Sequence, residues 1–424
     1  MRFAVITLVS LFLYACCLHA QTVSVGAFLA TAEKDVSVEA QNEKVDFLEG
    51  SSKMMPVIDD IEIRIRNEGF YFDRQRYSLR VEPRGIGETK AGRELYRANV
   101  NFNQQRKDLL VTRALNDRYS LVVELLEKEC RLKLHKELVV LYEDKLKVLQ
   151  QKSGNIKFDI TDLIAAEDRL TRLKFEGIER ERSIKQLKKK IALYLGVDTL
   201  TAFDTTGFIT VDFISDWVTN TDFSLDTNNV YLKYDRVDFQ QSMSRLNLEE
   251  AEGRRYVSFF EFSYDHDRML EELEEKTPER NEAYSMEIGI RIPYINSDRH
   301  DINRRKLSYL SDKEDYMELK RDLERRMQKD VGDIKVLVSQ YYFLKARGDD
   351  VNAESSLKKF MEMEGVDPLI LLEIKESILE NEEDKMQIEF DILRNYIRVL
   401  DVTGMLPKKP LRNYLSLKQE VIKQ

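Results

Sequence analysis

The side chains that could do chemistry here are carboxylates and arginines, and their setting argues against catalysis. Past residue 20 a single cysteine remains, Cys130, so neither a disulfide framework nor a thiolate metal cluster is expected. His135, His266 and His300 lie far apart in sequence and share no metal-ligand spacing. The acidic runs from Glu271 to Glu275 and from Glu380 to Asp384 are flanked by more charge. Nothing around them is apolar enough to move a carboxyl pKa, as acid–base catalysis would need. No catalytic residue, metal site or cofactor is therefore expected, and the chain does not read as an enzyme. Its net charge of -9 also argues against a nucleic-acid partner. With 34% charged residues, most charge runs read as solvated helix faces.

Long helices must carry those faces. The 424 residues include only 16 glycines and 7 prolines, which favours long helices over a loop-rich globule. From Glu88 to Lys152 there is no proline, and the one glycine, Gly92, lies in the first turns, which predicts an unbroken helix of roughly 65 residues, about 95 Å long. Leu125, Leu132, Val139 and Leu146 repeat at heptad spacing, with Tyr142 and Leu149 beside them. Ser153-Gly154-Asn155 breaks the pattern, and a second helix returns from about Ile160. Its rows are Leu163, Leu170, Ile184 and Ile191, and Ala166, Leu173, Leu187 and Tyr194. Such rows bury only when other helices face them.

The N-terminus, with Arg2 ahead of an apolar run from Phe3 to Ala15 and a cleavage point after Ala20, reads as an export signal over residues 1–20. Leu13-Tyr14-Ala15-Cys16 gives a second reading, a lipid attachment at Cys16. No later segment has about 18 consecutive apolar residues, so a membrane role would come through strands.

The rest follows one plan twice. In residues 21–227, a helix from Val25 to about Ser52, with Phe28, Leu29, Ala32, Val36, Phe47 and Leu48 apolar, precedes strands at 58–66 and 75–83. Ile61, Ile63 and Ile65 alternate with Glu62, Arg64 and Arg66, and Tyr77, Leu79 and Val81 alternate with Ser78, Arg80 and Glu82. The helical hairpin 88–197 and an aromatic connector 198–227 follow. In residues 228–406 the series recurs: a helix from Asn229 to about Arg254, strands at 256–264 and 284–293, and a hairpin at 297–404 whose return helix carries Leu372, Leu379, Met386, Leu393 and Leu400. Residues 407–424 form a tail. Each strand pair has one apolar and one charged face, which suits either a sheet packed on a core or a barrel with lipid outside and water inside.

Several short patterns in combination carry a resemblance to a known family. They are Ile290-Arg291-Ile292-Pro293 feeding a long helix, the tip from Gly154 to Asp162-Leu163 with Ala165 and Ala166 following, the closing Leu195-Gly196-Val197, and the repeated plan itself. In these the chain resembles the TolC family of outer-membrane efflux and secretion channels. The resemblance implies a mainly α chain whose long antiparallel helical hairpins build an α-helical barrel in the periplasm. Four β-strands per protomer would join a twelve-stranded β-barrel in the outer membrane of a homotrimer. It also implies a passive conduit served by a periplasmic adaptor and an inner-membrane transporter. The hairpin tips would be Gly154 with Asp162 and Gly365 with Asp367, and Glu373 and Glu376 would be entrance-gate carboxylates, although both stand two residues later than the family spacing. Plain solvated carboxylates are the other reading of that pair. The lumen-facing strand residues would be Arg64, Arg66, Arg80, Glu82, Glu287 and Arg291. A periplasmic or surface scaffold that keeps the hairpins without a channel is the competing function.

Overall fold

The computed structural model describes residues 23–51, 57–67, 75–154, 158, 160–200, 202–265, 284–292, 297–350 and 367–422. The export signal with Cys16, most of the polar loop between the second pair of strands, Pro293 and the tip glycine Gly365 lie outside them. In chain order the elements are β1 (Val23–Ser24), α1 (Val25–Ala30), a 3-10 turn (Thr31–Lys34), α2 (Val36–Ser51), β2 (Ile58–Asn67), β3 (Gln75–Pro83), α3 (Ile86–Lys152) and α4 (Ile160–Leu195). They continue as β4 (Phe203–Asp204), α5 (Val211–Asn220), α6 (Val230–Glu252), β5 (Val257–Asp265), β6 (Tyr284–Ile290), α7 (Ser297–Asp350) and α8 (Pro368–Val402). Two compact units draw on both halves of the sequence. One holds Met1–Val38, Leu110–Asn229 and Asp322–Gln424, and the other holds Glu39–Leu109 and Val230–Arg321.

In the first unit the heptad rows become core. Leu125, Ile184, Leu187 and Ile191 are buried with Ile334 of α7 and with Met386, Leu393 and Leu400 of α8, while Leu170 and Leu173 pack in a second cluster with Leu141, Tyr142 and Leu372. Gly196 and Gly404 close their helices at φ +67 and +73, where a side chain would be strained. Around this core the connector orders into β4 and α5. Thr210 caps α5 by accepting from the Phe213 amide, and Trp217 stands edge-on to both Phe223 and Tyr396.

The tail is part of this core, which its composition does not announce. Leu411, Tyr414, Leu415 and Ile422 are buried, next to Leu406 just ahead of the tail. Tyr119, 1% exposed in mid-α3, pins them: its hydroxyl donates to the Arg412 carbonyl at 2.8 Å and accepts from the Tyr414 amide at 3.1 Å. Burial raises its pKa above the normal range. Tyr119→Phe leaves the buried Tyr414 amide and the part-buried Arg412 carbonyl without this partner and should cost about 1–3 kcal/mol. The readout is the urea midpoint of the full chain, and a midpoint equal to wild type would show that the tail is held by its apolar residues alone.

The first helix departs from the sequence expectation. It breaks at Asp35, whose carboxylate accepts from the Ser37 amide and hydroxyl and pairs with Arg118 at 2.7 Å. This capping competes with helix continuation and resets the phase. Val36 and Phe47, expected on the apolar side, are exposed, while Val38 and Val45 are buried in their place.

In the second unit, α6 and α7 meet across an acidic seam. The Ser242 hydroxyl donates to Asp312, while burial, then Asp238 and Asp315, push the Asp235 carboxyl up to about 6. A raised carboxyl pKa means that the folded state holds the proton more tightly than the unfolded chain. Stability is therefore lost as pH rises from about 4 to about 6 and stays lost above that. Asp235→Asn should stabilise this unit by about 1 kcal/mol at pH 7.5, after discounting for its partial exposure, and by nothing near pH 4. Equal melting shifts at both pH values would exclude this origin.

Candidate functional site

β2, β3, β5 and β6 form one antiparallel four-stranded sheet in that order, within the second unit. Its register sorts side chains without exception along the paired core of the ladder. Ile63, Leu79, Phe262 and Met286 stand abreast on one face, flanked by Ile61, Val81, Phe260 and Ile288 and by Ile65, Tyr77, Tyr264 and Tyr284. Among the described residues nothing covers this face. Ile63 is 74% exposed, Ile65 63% and Ile290 77%. Contiguous exposed apolar surface of this kind marks a contact with lipid or another apolar body.

The three tyrosines that end this face, Tyr77, Tyr264 and Tyr284, stand side by side with ring centroids 6.5 and 5.2 Å apart. In the sequence each is just one more apolar alternation; only the cross-strand register shows a row. Such a row matches the aromatic girdle that sits at a membrane–water boundary. Strands β2, β3 and β5, of 10, 9 and 9 residues, have the length of a tilted crossing.

The other face is charged. Arg64, Arg66, Arg80, Glu82 and Glu287, expected to share a face, do so by register. Arg291 lies just past the ladder, its amide donating to the Tyr256 carbonyl. Arg64 pairs with Glu62 at 2.5 Å and Arg80 with Glu82 at 3.1 Å. In the middle, Arg76 donates to the Ser263 hydroxyl, which in turn bonds Ser285 at 2.6 Å.

A bulge between Val257 and Phe259 puts one aromatic among these charges. The Phe259 ring lies against β6 at Gly289, where an added Cβ would come within 2.4 Å of it, and the Arg80 guanidinium stacks over the ring at 3.8 Å. Sequence reading missed this contact, although an isolated glycine within a strand pattern signals a close approach.

The hairpin ends lie in the first unit and are joined by polar contacts. Asp367 caps α8 by accepting from the Leu369 amide at 2.9 Å, with Pro368 in the first turn. It also pairs with Lys152, the last residue of α3, at 2.5 Å, and this bond holds its carboxyl below the usual range. About two turns into α8, Glu376 accepts from the Tyr142 hydroxyl at 2.5 Å and pairs with Lys145 at 3.5 Å. Burial first, then that bond, push the Tyr142 hydroxyl up to about 12. The two expected gate carboxylates therefore differ. Glu373 is exposed, whereas Glu376 is half-buried and engaged by its own chain. Asp162 is exposed in the first turn of α4. Gly154 stands in the turn just past the end of α3; it is absent from the left-handed positions, and a Cβ there would meet nothing within 4 Å, so its turn does not demand glycine.

Among the described residues no cluster of three or more potential ligands could hold a metal, and no helix is long and apolar enough to cross a membrane. His135, buried in mid-α3, has its Nε2 at 2.7 Å from the Leu173 carbonyl, a structural contact between α3 and α4. No family model matches the sequence, and no curated protein matches it. Solved structures do. The chain is similar to CusC, described in connection with transmembrane channel formation, at 10% identity over 90% of this chain and 92% of that one, with a TM-score of 0.66. It is similar to the outer membrane protein VceC of Vibrio cholerae at 10% identity over 90% and 96%, with a TM-score of 0.64. The CmeC outer membrane channel of Campylobacter jejuni matches at 10% identity over 90% and 84%, with a TM-score of 0.61.

The chain has the fold of these outer-membrane channels. Within this channel fold the mainly helical build and the four-stranded sheet stand as the sequence led one to expect. At about one residue in ten shared, the channel fold is kept by the pattern of apolar rows and strand faces rather than by particular side chains.

Proposed function

We propose that the chain is one protomer of a homotrimeric outer-membrane channel, a passive conduit from periplasm to exterior. It would serve a tripartite efflux or type I secretion system with a periplasmic adaptor and an inner-membrane transporter. The observation that carries this reading is the sheet, which bares one wholly apolar face and one charged face and ends in two open edges, β2 and β6. An open edge is intolerable in lipid, so a sheet of this kind in a membrane must be closed by further copies of itself. Three copies give twelve strands, with the apolar face toward lipid and Arg64, Arg66, Arg80, Glu82 and Glu287 lining the lumen, Arg291 at its margin. The helices would extend into the periplasm, and the hairpin ends would meet the adaptor.

In this reading the Lys152–Asp367 and Tyr142–Glu376–Lys145 contacts latch the two hairpins of one protomer at the tunnel entrance. Weakening them with Lys152→Ala and Tyr142→Phe, which leave only the Lys145–Glu376 pair, should raise single-channel conductance in planar bilayers. Since Glu376 is engaged, Glu373→Gln should lower cation preference more than Glu376→Gln does. A heat-resistant trimer that never conducts would sink the channel and leave the scaffold reading. A conducting trimer with unchanged current in the double variant would retain the channel and remove the latch.

A further inference from the structure

The charged face of the sheet is divided along the strands. The two rungs nearest the tyrosine row carry Arg64, Arg66 and Arg76 against Asp265, with Ser78, Ser263 and Ser285 at the remaining described places. The next two rungs reverse the sign: Asp60, Glu62, Glu82, Glu261 and Glu287 stand against Arg80. Ion pairing leaves the division in place. Arg80 pairs with Glu82 inside the acidic half, and Arg64 reaches across the boundary to Glu62. In the basic half Arg66 stands directly opposite Arg76, a like-charge cross-strand pair that is destabilising in itself.

We propose that the interior of the barrel is a bipolar charge filter, basic toward the tyrosine-bearing outer end and acidic toward the helices, so that it rectifies ionic current and binds multivalent anions at one end only. The proposal rests on the channel reading above and adds a direction to it. Three-fold repetition turns each rung into a ring, so three arginines against one aspartate become nine against three. Rungs two residues apart are about 6.8 Å apart along a strand, which puts the centres of the two halves about 14 Å apart. That exceeds the screening length of about 8 Å at physiological salt, so each half keeps its own field, and at 1 M, where the length is about 3 Å, both fade. Anions concentrate in the outer half and cations in the inner half. One voltage polarity drives both into the junction, and the other empties it.

The test uses the full-length trimer added to one chamber of a planar bilayer. At about 0.1 M KCl the current at equal and opposite voltages should differ about twofold, and at about 1 M the ratio should approach one. Tripolyphosphate should reduce the current from one chamber only. Arg66→Gln with Arg76→Gln should abolish that block, and Glu261→Gln with Glu287→Gln should reduce the rectification while leaving the block. Heat-resistant migration on gels confirms assembly of each variant, and either double variant alone suffices. Equal currents in both directions at 0.1 M, block from both sides, or rectification unchanged in an assembled double variant would overturn the filter while the channel stands. An assembled wild-type trimer with no conductance would overturn the channel reading, and the filter with it.

Discussion

Ile288→Arg should abolish assembly in the outer membrane, while Glu287→Arg, its immediate neighbour, should leave it nearly intact. The two side chains leave opposite faces of β6, Ile288 in the apolar row with Phe260 and Glu287 opposite Glu261. An arginine on the lipid side near mid-depth costs about 2–4 kcal/mol, and three copies would bring the total to about 6–12 kcal/mol. That is comparable to the whole stability of an ordinary domain. The measurement is the yield of heat-resistant trimer in outer-membrane fractions. If the Ile288→Arg protein assembled as well as wild type, the apolar face would have to meet something other than lipid.

Phe175→Glu with Ile178→Glu should dissociate the trimer without unfolding the protomer. Both residues sit on the outer side of α4, 67% and 64% exposed, and Ile164 shares that side within about 20° of Phe175 around the helix. In the same unit Val336 and Phe343, seven residues apart on α7, are also bare. Burying a Phe and an Ile is worth about 1.5–3 kcal/mol each, and the variant adds the desolvation of two carboxylates at every interface. The helical signal should stay, because neither side chain belongs to the core of its own chain. Light scattering in detergent gives the mass, and a persistent trimer would move the subunit contact to another helix face.

What could be read in the sequence was what periodicity encodes. The alternation of Ile61, Ile63 and Ile65 with Glu62, Arg64 and Arg66 sets the faces of β2, and the row from Leu372 to Leu400 sets the buried side of α8. Position within an element was legible because a wrong register would turn every side chain over. What stayed hidden depends on contacts distant in sequence. Tyr119 and Tyr414 are 295 residues apart. Glu376 looked like a free gate carboxylate because nothing near it in sequence announces Tyr142. The break at Asp35 was missed for another reason: Val36, Val38 and Phe47 all suit a helix, and only the capping bonds of one carboxylate decide where it restarts.

The clasp made by the tail sets an order of events for the cell. β1 at the front of the described chain pairs with β4 near its middle, and Arg412 and Tyr414 near its end close over Tyr119. The first unit therefore stays incomplete until residues 411–422 have docked, and its most distant contacts carry a large loop-closure cost until then. Removing residues 411–422 would therefore leave the first unit without the partners of Tyr119 and without part of its buried core.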